Sequence, residues 1–429
     1  MSLACAAACL AGVATPSGGA QASSLATLHT FCSKRLCADG TEPQTALTMD
    51  AAGNLYGFAG DGDSAAPTAT VYELVPNPGR TRWKLDVLYS PCSECLTIRG
   101  RLVVDTVGNL YATVFEGGTH GTGEVVEFPV RAGKTKRKLQ VLYNFASAGG
   151  DGNNPASGLT YQGAASGLPY DGVSPLYGTT FQGGSHAKGA LYQLTPSGGT
   201  WTESVVYSFC SQGGSACTDG ATPLAAPSVD GSGNLYGTTR DGGNSSGNGT
   251  IYELTNAGGT WTETVLHTNC QQPKCSDGAA FDEILIDASG NLFGNGFGGT
   301  HHGAGIIFKL VPSGTASTYS VLYDFCAQRN CSDGVDPAGG LVIDSSGNLF
   351  GATMHGGGHD NDTSHAGGGT VFEFSGSALT TLHAFCSQTD CADGEYPPAG
   401  LVMDGSGNLL GTTQAGGRQG EGTAFALTP

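Results

Sequence analysis

Seven of the ten histidines in this sequence sit in one kind of phrase. The phrases are "EGGTHGTG", "QGGSHAKG", "FGGTHHGAG" and "HGGGHDNDTSHAGGG". They hold His120, His186, His301, His302, His355, His359 and His365, with Asp360 and Asp362 beside the last three. Imidazole next to carboxylate can bind zinc or another transition metal, or serve as acid and base. The same residues are also ordinary turn residues, so a plain exposed turn is the competing reading. A second recurring group is an Asp-Gly pair, at Asp39, Asp151, Asp219, Asp277, Asp333 and Asp393. These loops could hold calcium, although they lack the ordered oxygen series of an EF-hand. No G-x-S-x-G, H-E-x-x-H or phosphate loop occurs, so no nucleophile motif points to catalysis.

What positions these loops is a copied unit. It reads LVxD-xxGNLYG-TTxxGG, a variable stretch, GTVFEL, a turn, TxxVLYxFC, a second variable stretch, and C-x-DG. Its "GNLYG" element recurs at Asn54, Asn109, Asn234, Asn291, Asn348 and Asn408, and "SPLYGTT" is a seventh, degenerate copy. Each unit holds four short apolar or aromatic runs bounded by Gly, Asp, Asn and Pro, a pattern of strands joined by tight turns. Four-stranded units repeated radially make an all-β, seven-bladed propeller. The ends favour a ring over a linear solenoid. "LATLHTFC" matches strand four of the unit, whereas "EGTAFALTP" at the other end matches strand three. The expectation is that residues 25–31 complete the blade formed by residues 400–428, a closure that covers edges an open array would leave exposed. The domain reading is therefore a signal peptide over 1–22 and a single propeller over 23–429.

Within the unit, Asp50, Asp105, Asp230, Asp287, Asp344 and Asp404 each precede a Gly-Asn by three residues, which suits hairpin turns rather than metal ligands. The "LYG" and "VFEL" aromatics, with Trp201 and Trp261, read as packing between blades. Twelve cysteines fall in close pairs: Cys32 and Cys37, Cys92 and Cys95, Cys210 and Cys217, Cys270 and Cys275, Cys326 and Cys331, Cys386 and Cys391. The loop "FASAGGDG" lacks both members, and this joint loss suggests that each pair is a local disulfide. The spacing of Cys92 and Cys95 leaves a redox-active pair open as well. The third unit carries an insertion, "YQGAASGLPYDGV", that lacks the expected Asp; with Tyr161 and Tyr170 exposed, it would be a partner contact, or else plain drift.

The "GNLYGTT…GG…GTVFEL" unit resembles the tandem repeat of secreted bacterial proteins named after Gloeobacter and Verrucomicrobia, the GloVer repeat. That resemblance implies an exported, repeat-built protein, often attached to the surface, and implies no known reaction. More loosely, "DxxGNLYG" is similar to the turn of other propeller families.

The chain has 429 residues and 71 glycines, with 18 Lys and Arg against 36 Asp and Glu, a net charge of -18. That balance disfavours nucleic acid and anionic membranes as partners. The first 22 residues resemble a secretory leader without its basic start, and contain Cys5 and Cys9. No stretch reaches transmembrane length. Paired cysteines and the leader point to a secreted protein, extracellular or periplasmic. In a four-stranded blade, the two-to-three and four-to-one turns open on one face, and the variable stretches fall there. The functional expectation is an exported, non-enzymatic scaffold that binds an extracellular glycan or surface protein through that face. The alternative is a metal-assisted lyase or hydrolase at the His/Asp cluster. A third is a mechanical or adhesive array. No cofactor beyond a divalent metal is implied.

Overall fold

The alternation of apolar and polar residues around Gly-Asn turns gives each repeat a four-stranded antiparallel sheet, and seven such sheets form the molecule. The computed structural model describes residues 23–60, 70–90, 97–146, 150–301, 303–313, 317–358 and 367–429. His302, His359, Asp360, Asp362, His365, Cys5, Cys9, Cys92 and Cys95 lie outside the described residues. Blades are numbered from the sheet that begins at Thr48–Met49. Blade six is typical: Val335–Ile343, Leu349–His355, Thr370–Ser375 and Ala378–Ala384 are its strands one to four.

Blade seven closes the ring. It takes three strands from the end of the chain, Val402–Met403, Leu409–Thr413 and Thr423–Thr428. Its fourth is Ser24–Thr30, antiparallel to Thr423–Thr428 with Ser24 opposite Thr428 and Thr30 opposite Thr423. The chain ends thus share one sheet, as the offset of the first and last repeat phrases requires. The hydrophobic core divides in the same way. Among the described residues it forms seven clusters, each bridging two neighbouring blades. One of them joins Phe31, Leu410 and Ala424 of blade seven to Leu47, Leu55 and Tyr72 of blade one.

The junctions rest on aromatic pairs. The Phe that ends strand four meets the strand-three aromatic of the next blade. The pairs are Phe31 with Tyr72, Phe145 with Tyr192, Phe209 with Tyr252, Phe325 with Phe372 and Phe385 with Phe425. Their ring centroids lie 5.0 to 5.2 Å apart in tilted or edge-on contact. Each strand-three aromatic also covers the Gly of "LYG", "LFG" or "LLG" on strand two of its own blade: Gly351 pairs with Phe372 and Gly411 with Phe425. Blade two breaks the pattern on both sides at once. Ala112 replaces the Gly and lies opposite Val126, which replaces the ring.

Two recurring carboxylates fold the turns. Asp50 Oδ1 accepts the Ala52 and Asn54 N–H groups at 2.9 Å, and Oδ2 accepts the Asn54 side-chain amide at 2.8 Å. Gly53 completes that turn at φ +84°, where a side chain would be strained. Asp105, Asp230, Asp287, Asp344 and Asp404 make the same bonds.

The Asp of the Asp-Gly pair organises the cysteine loop. Asp333 accepts the Ala327 N–H at 2.9 Å, the Gln328 N–H at 3.2 Å and the Tyr323 hydroxyl at 2.8 Å. Three blades end strand four in "LH": His29 and His383 replace the tyrosine, each 3.0 Å from Asp39 or Asp393, while His267 stands 3.6 Å from Asp277. Burial pushes Asp39 up, but hydrogen bonds from Ser33, Lys34 and His29 outweigh it and hold the carboxyl below its usual range. The loop without cysteines keeps the device, since Asp151 accepts the Tyr143 hydroxyl and the Ala146 N–H. Five local disulfides are formed: Cys32–Cys37, Cys210–Cys217, Cys270–Cys275, Cys326–Cys331 and Cys386–Cys391.

Candidate functional site

Strand alternation sorts the turns onto two faces. One-to-two and three-to-four turns share the hairpin face, while two-to-three and four-to-one turns share the loop face. The histidine turns are on the loop face, where they remain separate in the described structure. His120 and His186 are exposed. His301 Nδ1 lies 3.2 Å from the Asp324 carboxylate of blade five, and His355 Nδ1 lies 3.0 Å from Asp336 of blade six. Among the described residues, the one close trio of potential ligands is Cys386, Cys391 and Glu395, and its two cysteines are bonded to each other. The Asp-Gly carboxylates do not reach this face either. Asp39, Asp219, Asp277, Asp333 and Asp393 are buried and spend their oxygens on loop N–H groups. Reading them as open loop ligands is corrected by this burial.

A cavity of about 1240 Å³ lies at the ring axis and opens on the opposite, hairpin face. Strand one of all seven blades lines it, together with one-to-two and three-to-four turns and no loop-face turn. Its wall is largely aliphatic, from residues such as Met49, Val103, Leu285, Val342 and Met403.

Turn and outer-strand residues, Asp50, Glu73, Arg80, Asp105 and Arg137, add charge toward its mouth, and one position of strand one varies in charge around the ring. Four residues before the hairpin Asp, or before Gln162 in blade three, the seven blades carry Ala46, Arg101, Gly158, Ala226, Glu283, Gly340 and Gly400. Five are small, and the two charged side chains come from blades two and five, far apart around the ring. Both line the cavity, and no ion pair joins them among the described residues. The Arg101 Nε is buried without a hydrogen-bond partner. The Glu283 carboxylate reaches over Gly340 of the next blade, so a Cβ there would meet it at 3.2 Å. Next to Glu283, burial first and then the neighbouring charge push Asp282 up to about 7, against the pull of a Gly339 N–H.

The blade-three insertion roofs one side of the mouth through Ala164, Ala165, Leu168 and Pro169. Its tyrosines are not a free platform. Tyr170 is 0% exposed and packs on Tyr111 and Tyr161, with its hydroxyl donating to Ser174 O. Tyr161 is half-buried and donates to Leu168 O. Asp171 supplies the turn carboxylate that the repeat pattern lacks here, accepting the Val173 and Ser174 N–H groups. Trp201 and Trp261 pack on Tyr111 and Tyr177 of the preceding blades.

Neither Arg101 nor Glu283 stands out as a motif. The signal that could have found them is alignment of the repeats against one another, where a charge replaces Gly or Ala.

The Gloeobacter/Verrucomicrobia repeat family model matches residues 164–365. No curated protein matches the chain in sequence. Among solved structures, the extracellular domain of a protein described as a one component system from B. thetaiotaomicron is similar at TM-score 0.51 and 12% identity. That likeness covers 91% of this chain and 40% of that one, so the chain spans well under half of it. PorZ, a surface component of the type-IX secretion system of Porphyromonas gingivalis, is similar at TM-score 0.44 and 14% identity, over 83% of this chain and 47% of that one. At 12% identity the first of these likenesses speaks for the fold alone. Over residues 164–365, then, the sequence of these blades is similar to the Gloeobacter/Verrucomicrobia repeat.

Proposed function

We propose that this chain is an exported, non-enzymatic propeller that binds an extracellular ligand, a short glycan or a segment of a surface protein, at the mouth of its axial cavity. The observation that carries this reading is the ring of seven equivalent positions at which five are Gly or Ala and two are Arg101 and Glu283. Packing alone is served by the small residues. A guanidinium Nε left without a partner inside a largely aliphatic cavity costs free energy unless a ligand engages it. The cysteine pairs, five of which are bonded locally, fit an oxidising compartment, and the leader-like first 22 residues agree with export. The test is an array of glycans and peptides probed with oxidised protein, alongside Arg101→Ala and Glu283→Gln. Binding that falls at least tenfold in both variants supports the reading. Binding that survives both places the ligand elsewhere.

A second reading has its own observation. His301 and His355 each stand against a carboxylate in adjacent blades on the loop face. A metal-assisted lyase or hydrolase would build on them, with His302, His359 and His365. Metal content that is unchanged in a His301→Ala/His302→Ala/His359→Ala variant removes it.

A further inference from the structure

The net charge of -18 hides a strongly basic sector. The three-to-four turns of blades one and two, "NPGRTRWK" at 77–84 and "RAGKTKRK" at 131–138, hold eight of the 18 Lys and Arg and none of the 36 Asp and Glu. Seven of the eight are exposed. Arg80 is engaged by Asp404 and Lys84 by Asp86, and Arg137 donates to the carbonyls of Gly108 and Phe128. Arg82, Arg131, Lys134 and Lys138 make no ion pair among the described residues.

Beside this sector, on the same face, aliphatic tips stand in solvent. Val107 is 70% exposed, Val130 50%, Leu168 59% and Val173 71%. They belong to contiguous turns. Val130 N–H donates to Asn109 at 2.8 Å, Arg137 to Gly108 O at 2.7 Å, and Thr106 N–H to Tyr170 O at 3.0 Å. The exposed apolar residues of the loop face, Leu36, Leu224 and Phe297, are scattered one to a blade by contrast.

We propose that the hairpin face of blades one to three docks on an anionic phospholipid surface, with the aliphatic tips entering the headgroup boundary and the basic turns over the phosphates. The pairing of the two features decides the occupant. Cations alone would suit any polyanion. Four bare aliphatic side chains among them serve an acidic polysaccharide poorly, and they offer a nucleic acid no aromatic surface for stacking. An interface that is apolar inside and anionic at its surface uses both. Asp171 is an exposed carboxylate within the patch, its oxygens engaged by Val173 and Ser174. The two basic turns hold no acidic residue, and the acidic excess outside them repels the same surface, which points the cavity mouth at the lipid. The inference stands apart from the identity of the cavity's ligand.

Co-sedimentation of oxidised protein with sucrose-loaded vesicles tests it. Phosphatidylcholine vesicles containing 30% phosphatidylglycerol are compared with pure phosphatidylcholine, at about 50 mM salt. Each basic residue near such a surface adds about 1 kcal/mol, so reversing two charges in Lys134→Glu/Lys138→Glu lowers the partition coefficient at least tenfold. Val107→Ser/Leu168→Ser lowers it several-fold. Both pairs of positions are exposed, and an unchanged thermal transition verifies folding. Absence of binding to the anionic vesicles overturns the proposal. Lipid binding that ignores the Val107→Ser/Leu168→Ser change, or polygalacturonate bound equally well and equally indifferent to it, overturns it too, in favour of a bare polyanion site. Loss of vesicle binding leaves the array result for Arg101 untouched, so the two readings fail separately.

Discussion

Gly351 offers a sharp test of how the blades lock together. Its φ is not in the left-handed region, so Gly351→Ala carries no backbone strain and isolates one steric contact. The added Cβ would lie 2.6 Å from Phe372 Cζ and 2.9 Å from Leu341 Cδ2, both closer than van der Waals contact allows. Phe372 cannot retreat. Its ring is 0% exposed and is held from the preceding blade by Phe325, 5.2 Å away between centroids. Overpacking of this kind costs about 1–3 kcal/mol, while Ala in place of Gly in a strand returns about 0.5–1 kcal/mol. The net expectation is a loss of about 0.5–2 kcal/mol. Phe372→Val alone should cost roughly 2–3 kcal/mol through lost burial and a residual cavity. Blade two already contains the combined solution, Ala112 opposite Val126. The double variant should therefore be more stable than the sum of the singles by about 1–2 kcal/mol. Guanidinium midpoints of the oxidised protein, followed by intrinsic fluorescence, complete the double-mutant cycle. Additive losses, or a neutral Gly351→Ala, would refute the reasoning, because the ring would then have somewhere to go.

Other consequences can be measured on the same material. Tyr252 is fully buried with a hydroxyl that has no partner, where blades five to seven use Phe; Tyr252→Phe should raise stability by about 1 kcal/mol, and a loss would reveal a hidden acceptor. Burial, then the nearby Asp219, push Glu263 up to about 8. The folded chain therefore holds that proton more tightly than the unfolded one, so stability falls as pH rises from about 4.5 to 8. Glu263→Gln should flatten that part of the melting-temperature profile, and superimposable profiles would contradict the assignment. Asp333→Ala removes three hydrogen bonds from its loop; it should cost about 1–3 kcal/mol and speed the reduction of Cys326–Cys331, read by thiol labelling under mild reductant. Deleting residues 24–30 exposes the edge of Thr423–Thr428 and should lower the melting transition sharply, whereas an unmoved transition would deny that this strand closes the ring.

The ring was legible because its evidence is periodic. The strand-four phrase "LATLHTFC" at one end and the strand-three phrase "EGTAFALTP" at the other can be matched without coordinates. The site was less legible, for two physical reasons. Loop length drew attention to the histidine turns, but length does not say whether a loop folds inward. The Asp-Gly carboxylates look like ligands in the sequence, and in the structure they are consumed by N–H groups one and two residues after a cysteine. Tyr170 looks like an exposed insertion residue and is buried beneath its own turn. Conversely, Arg101 and Glu283 sit in an unremarkable strand-one phrase, and only the closed ring turns seven such phrases into one wall. Net charge misled in the same way. It averages over the surface, and the "RAGKTKRK" turn is a local exception whose neighbours are set by the fold.

The departures from the repeat can be sorted by whether anything answers them. At the junction of blades one and two, a lost ring at Val126 is answered by Ala112. At the junction of blades four and five, Asn269 stands where the strand-four Phe belongs, and the gap is answered by Tyr319, which stacks on His267 at 3.8 Å with the planes 3° apart. In the third blade the missing hairpin Asp is answered by Asp171. Each of these preserves packing or a turn, so the junction between blades, more than the blade, is the unit whose shape is maintained. Arg101, Glu283 and the basic turns of blades one and two have no such answer. The Arg101 Nε is left without a hydrogen-bond partner, and four cations of the basic turns make no ion pair among the described residues. A fold that compensates its small steric changes but leaves these charges open is carrying groups its own stability does not use, and they lie together on the face where the cavity opens.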